Sequence, residues 1–164
     1  QKLMEYCIEN LNALVKVAEE ENVILLLGTV MGMDSPCNAS TPIVLTVDEV
    51  AEIIEQIGSS YLAAYADTQV LSIRGESLTD WFDRLGEKVR LVRFTDGNYN
   101  GYRIWGKGVL PAEKLAEEIY RTGFNGLISF QIPGERYCEN PKDAQKQNHF
   151  RALSAWREVM DCQR

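Results

Sequence analysis

Histidine is almost absent from this chain of 164 residues, which carries only His149. Ser35, Ser40 and Ser77 therefore have no convincing partner for a hydrolase triad. Cysteine is thin as well. Cys7, Cys37, Cys138 and Cys162 are widely spaced with no C-x-x-C pair, which signals neither a zinc site nor a redox dithiol and leaves free thiols. No apolar run approaches the roughly 20 residues of a membrane-spanning helix, and no signal peptide is legible. Positive charge is short: 17 Lys and Arg against 24 Asp and Glu give a net charge of −7. No basic cluster is available to neutralise phosphates, so a nucleic-acid partner is not expected. These absences point to a cytoplasmic protein without a membrane or nucleic-acid partner.

The remainder, 45% hydrophobic and 25% charged, has the composition and size of one globular domain. The run Tyr61 to Val70 organises it. Residues 61 to 66 are apolar on successive positions, as in a strand of a parallel sheet buried on both faces, and Asp67 should lie where that strand surfaces. In parallel α/β folds the chemistry gathers at the carboxyl ends of the strands.

Met4, Cys7, Ile8, Leu11, Leu14, Val15 and Ala18 recur at helical spacing, and Val23 to Leu27 reads as a short strand. Gly28 to Pro42 has loop composition. Thr46 and Glu49 have the spacing of a capping box that opens a helix closed by Gly58. Ser77 or Thr79 caps a further helix ending at Gly86, and Val89 to Phe94 is a strand. Residues 95 to 110 form a Gly-rich aromatic loop, and Pro111 is placed as the first residue of a helix stopped by Gly123. Leu127 to Ile132 is the fourth strand. Asn140-Pro141 starts a last helix with Phe150, Leu153, Trp156 and Met160 on one face. A helix, three βα units and a fourth strand with its helix imply a parallel sheet with right-handed crossovers. Four strands do not close a barrel of eight, which needs about 250 residues.

Four strand ends carry a resemblance: Leu25-Leu-Leu-Gly28-Thr-Val, Ala66-Asp67-Thr68-Gln-Val70, Leu91-Val-Arg93-Phe-Thr-Asp96-Gly97 and Ser129-Phe-Gln131-Ile. In order and spacing they resemble the carboxyl-terminal half of the xylose isomerase-like barrels, the sugar phosphate isomerase/epimerase superfamily that includes endonuclease IV. The resemblance implies an α/β fold, a parallel-sheet half of a (β/α)8 TIM barrel with strands five to eight. Residues 1–164 would be a single half-barrel domain missing an upstream half, consistent with Gln1, which is not an initiator residue. Its partner would be that upstream half or a second copy forming a homodimer.

In the family those strand ends deliver Glu, Asp, His and Glu to a divalent metal that polarises a sugar's oxygens. Here they read Gly28, Asp67, Arg93 and Gln131, and Val70 stands where the motif Asp-Thr-x-His places another histidine. Asp67 alone keeps a ligand position. No cofactor is expected, and a manganese, magnesium, cobalt or zinc ion only if the resemblance holds despite the lost ligands. Asp67 and Gln131 are the candidate catalytic positions, although an amide cannot act as a base. Arg93, Arg103, Trp105 and Lys107 are the candidate substrate-binding residues. The stretch Arg103-Ile-Trp-Gly106-Lys-Gly108 resembles the family loop whose arginine helps hold the substrate.

Two readings of Arg93 stand open. It forms a bidentate ion pair that satisfies Asp67, or with Arg103 and Lys107 it makes an anion pocket. Tyr99, Tyr102 and Trp105 have the makings of a saccharide-stacking loop, or of a loop packed over the barrel rim. The expected function is that of a sugar isomerase/epimerase-like protein acting on or binding a small sugar or sugar phosphate with the metal site largely lost. The alternative is a non-catalytic carbohydrate- or anion-binding or regulatory partner. Whether such a degenerate protein is still an enzyme stays open.

Overall fold

The computed structural model describes residues 2–30 and 43–162. Most of the Gly28 to Pro42 segment, with Ser35, Cys37 and Ser40, lies outside them. Helix α1 (Lys2–Glu20) leads to β1 (Leu25–Leu27), followed by α2 (Val47–Ile57) and β2 (Leu62–Asp67). Next come α3 (Thr68–Arg74), α4 (Leu78–Leu85) and β3 (Val89–Arg93), then the short strands β4 (Asp96–Asn98) and β5 (Gly101–Arg103). Helix α5 (Ala112–Arg121), β6 (Leu127–Ser129) and α6 (Pro141–Asp161) complete the order.

Helix starts and stops follow local chemistry. The Thr46 hydroxyl accepts from Glu49 N, and the Glu49 carboxylate accepts from Thr46 N, closing the expected capping box. Gly58, at φ 68°, ends α2 in the left-handed conformation that costs glycine little. Ser77 rather than Thr79 caps α4, and Asp80 completes a second box. Pro111 sits one position earlier than expected, as the N-cap of α5.

The main sheet has the order β1-β2-β3-β6 with every pair parallel, so strands that follow one another along the chain are neighbours in space. This is the arrangement of one arc of a (β/α) barrel. Ala64, Ala66, Val92 and Ile128 face the helices and meet the core through Val50, Ile54, Trp81, Ala116 and Ile119.

The opposite face is covered less completely than the apolar run predicts. Leu26 and Leu127, at register positions of that face, are 36% and 70% exposed. Helices cover one face of a barrel's sheet, and the other is filled from strands across the barrel. Among the described residues no strands lie across it. The outer strands are also shorter than expected. Val23 and Ile24 stay outside β1, and β6 stops at Ser129, because each has one neighbour to pair with.

Three further expectations are corrected. The 95–110 segment is not all loop, since β4 and β5 form an antiparallel hairpin with Asp96 opposite Arg103 and Gly97 opposite Tyr102. Residues 68–70, included in the central stretch but given no element of their own after the 61–66 strand, open α3. Helix α6 buries Ala144, Asn148, Ala152, Ala155 and Val159, whose mostly small side chains let it approach α5, and leaves Phe150 and Met160 outward. Leu14 of α1 is likewise exposed. No described helix is long and apolar enough to cross a membrane.

Trp81 is the largest fully buried side chain, and its Nε1 donates to Glu76 Oε2 at 2.9 Å. Glu76 Oε1 accepts from Val47 N at the start of α2, so one carboxylate ties the tryptophan of α4 to α2. Trp81→Ala should cost about 3–5 kcal/mol in urea unfolding followed by circular dichroism; a loss below about 1 kcal/mol would contradict this packing.

Candidate functional site

Asp67 ends β2 and caps α3, and it is 2% exposed rather than surfacing. Its Oδ1 accepts from Gln69 N at 3.0 Å, Val70 N at 3.3 Å and the Thr95 hydroxyl at 2.8 Å. Its Oδ2 accepts from the Tyr102 hydroxyl at 2.8 Å. The chain makes this pocket locally, because a carboxylate just before a helix serves the unpaired N–H groups of the first turn. Thr68 locks the neighbouring strand end, its Oγ1 donating to Thr95 O at 2.7 Å and accepting from Thr95 N at 2.8 Å. Burial raises the carboxyl's pKa above the ordinary 3.8, against the lowering effect of the Thr95 and Tyr102 hydroxyls, Val70 N and the Arg93 charge. Burial and the adjacent carboxylate push the Tyr102 phenol upward.

Arg93 is the register partner of Asp67 on β3. Its Nη1 lies 3.6 Å from Asp67 Oδ2, a single charge contact rather than the bidentate pair expected. The Tyr102 hydroxyl reaches the same oxygen and takes the place of a second guanidinium bond. The guanidinium also lies over the Tyr65 ring, 4.8 Å from its centre, and the side chain is 31% exposed. Burial raises the Tyr65 phenol's pKa as well.

The Tyr65 ring fills the space beside Gly28. A Cβ at Gly28 would lie 2.6 Å from Tyr65 Cε1, so no side chain fits there while the ring keeps its place. Gln131 follows β6 half-buried, and among the described residues no hydrogen bond joins it to Asp67 or Arg93. His149 is exposed on α6 with its ring edge-on to Phe130.

The hairpin separates the remaining candidates. Tyr102 faces Asp67 on the side where Gly97 receives the Gln69 side chain, whose Nε2 donates to Asn98 O while its buried Oε1 has no partner. Arg103 lies on the other side with Asp96. Trp105 is buried, stacked on Phe94 at 4.4 Å with Nε1 donating to Phe94 O, so its ring packs the rim. Lys107 and Tyr99 are exposed. The structure thus groups Asp67 with Arg93, and Arg103 with Lys107, but does not join the two groups.

Asp96 was legible in the sequence only as part of a strand-end motif. Buried at 1% exposure, it accepts from the N–H groups of Gly97, Gly106, Gly108 and Leu110 at 2.7–3.0 Å, which fixes the path of the 104–110 segment. Gly108 approaches that carboxylate so closely that a Cβ there would collide with Oδ1. The sequence signal was a carboxylate followed at intervals by glycines that let backbone amides converge.

A parallel strand order with a carboxylate and a guanidinium at the carboxyl ends of adjacent strands defines a barrel-type α/β site. The chain belongs to the xylose isomerase-like TIM barrel family, whose model matches residues 2–156. It is similar to fructoselysine 3-epimerase of Escherichia coli O157:H7, 26% identical over 151 residues that cover 88% of this chain and 52% of the relative. It therefore spans about half the length of this curated relative. Among solved structures it resembles the IolI protein with a bound zinc atom (TM-score 0.74, 15% identity, covering 95% of this chain and 57% of the other). It also resembles D-psicose 3-epimerase from Clostridium cellulolyticum H10 with D-tagatose (TM-score 0.65, 18% identity, covering 96% and 55%).

Among the described residues, the donors around Asp67 do not fit a divalent ion. Among the described residues no three His, Cys, Asp or Glu side chains converge. Asp67 is committed to four hydrogen bonds, the Tyr65 ring closes the Gly28 position, and a fixed positive charge stands at Arg93.

The raised pKa has a signed consequence. The folded Asp67 carboxyl holds its proton more tightly than in the unfolded chain, so its contribution to stability falls as pH rises from about 3.8 through the elevated folded value. Carboxyl carbon shifts followed by NMR should show Asp67 titrating above 3.8, and Asp67→Asn should flatten the stability slope across that window; a midpoint below 3.8 would contradict the assignment. Asp96→Ala leaves four amides without their acceptor and should cost about 3 kcal/mol or more in urea unfolding.

Proposed function

We propose that this chain forms the carboxyl-terminal half of a sugar isomerase/epimerase-type barrel that binds a small sugar derivative without the family's metal, using the Arg93 guanidinium in its place. The single observation that carries this reading is the side-by-side placement of Asp67 and Arg93 at the strand ends, with the carboxylate's oxygens already engaged. One side of the guanidinium meets Asp67 and its face lies on Tyr65, leaving further N–H groups on a side chain that is 31% exposed. Such a group recognises a carboxylate or a polarised carbonyl oxygen. Similarity to sugar epimerases supports a sugar as the ligand class. The buried Asp67 serves to hold Arg93 and Tyr102 in position, and Gln131 offers an amide for hydroxyl groups, which supports binding over turnover.

The exposed Leu26 and Leu127 on the sheet's open face and the unpaired sides of β1 and β6 support completion by a second half-barrel, either an upstream segment or another copy of this chain.

Calorimetric titration of the folded chain should give no saturable heat with manganese or magnesium, whereas D-glucuronate should bind and lose about tenfold in affinity, about 1.4 kcal/mol, in Arg93→Ala. Saturable manganese binding that disappears in Asp67→Ala would overturn the metal-free reading. D-glucuronate affinity unchanged by Arg93→Ala would remove the role given to the guanidinium.

A further inference from the structure

On the far side of the β4–β5 hairpin from Asp67, a cleft of about 520 Å³ opens between the hairpin, the segment after β6 and the start of α6. Arg103, Lys107 and Arg136 line it together with Tyr137, Asn140 and Asp143. Three cations converge there in a chain whose net charge is −7, and among the described residues none of the three is in an ion pair. Their geometry is braced from below. Arg136 donates to Asn100 O at the hairpin tip at 3.0 Å, Arg103 makes a long contact with Tyr102 O at 3.4 Å, and the Tyr137 hydroxyl accepts from Ile104 N at 3.3 Å. These contacts occupy a minority of the guanidinium donors and leave the rest for the cleft.

The one acid on the wall, Asp143, is turned to Asn140, whose Nδ2 donates to its Oδ2 at 2.6 Å. Asn140 also caps the 21-residue helix α6, so that helix presents its positive end to the same space. Three cations against one carboxylate leave two positive charges to be balanced. A phosphate dianion supplies that charge, and its oxygens suit forked guanidinium donors.

We propose that this cleft is a binding site for a phosphate dianion, carried by a phosphorylated sugar or free in solution. It is distinct from the Asp67–Arg93 site, because Tyr102 and Arg103 point to opposite faces of the hairpin. The phosphorylated-sugar form of the proposal rests on the sugar-binding reading above; the free-phosphate form does not.

The test is calorimetric titration of the full chain with inorganic phosphate, D-fructose 6-phosphate and D-fructose at matched ionic strength. It is repeated on Lys107→Gln/Arg136→Gln and, separately, on Arg93→Ala. Lys107 and Arg136 are exposed, so the double variant keeps the fold, which circular dichroism verifies. Saturable binding of both phosphate compounds, weakened at least about tenfold in the double variant, supports the site. Equal affinity for the two, untouched by Arg93→Ala, assigns it to phosphate alone. Tighter binding of the sugar phosphate, with the excess kept in Arg93→Ala, assigns it to a phosphorylated sugar bound within the cleft. Absence of saturable phosphate binding, or binding unchanged in the double variant, overturns the proposal whatever the sugar result.

Discussion

The buried carboxylate of Asp67 is the constraint on which the site depends. A carboxylate at 2% exposure persists only with its oxygens satisfied, and here four donors come from three parts of the chain. The first turn of α3 supplies two amides, the segment after β3 supplies the Thr95 hydroxyl, and the hairpin supplies Tyr102. One side chain thereby joins the ends of two adjacent strands to the hairpin that roofs them. Arg93 adds the charge that Asp67 faces, at a distance too long for a strong hydrogen bond but short enough for attraction in a partly dry pocket.

The departures from the family's ligand pattern belong together. Glycine at position 28 admits the Tyr65 ring, the ring carries the Arg93 guanidinium, and the guanidinium meets the carboxylate. A side chain at 28 would displace the ring, and loss of the ring would free the guanidinium. On the reading proposed above, a protein cation stands where the family resemblance places a metal, and that would change what the pocket does. A guanidinium offers directional N–H donors and a fixed charge, but it neither exchanges ligands nor lowers the pKa of bound water as a Lewis acid does. The family relationship therefore establishes the fold and leaves what happens to a ligand to the residues of the site.

The four parallel strands, their order and the first capping box were legible because each depends on residues close in sequence, such as Thr46 with Glu49. Ser77 was legible only as one of two candidate caps, and its box with Asp80 was not. Asp67 and Arg93 were legible as neighbours through the spacing of strand ends. Helix α3 was not, since Val70 and Leu71 prolong an apolar run and the local cue, an aspartate cap with Gly75 eight residues on, was outweighed by it. The buried face of α6 was misread because aromatic residues form the louder stripe while alanines allow the closer packing. The side of the hairpin taken by each loop residue depends on pairing register, so the separation of Arg103 from Arg93 and the burial of Trp105 required the fold itself.

If the carboxylate and the guanidinium stabilise one another in place of a metal centre, their effects on stability must be coupled. A double-mutant cycle in urea unfolding, with Asp67→Asn, Arg93→Met and the pair combined, measures that coupling directly. The account predicts an interaction energy of about 1 kcal/mol or more, with the double variant less impaired than the two single losses added together. Losses that add to within about 0.3–0.5 kcal/mol would contradict it.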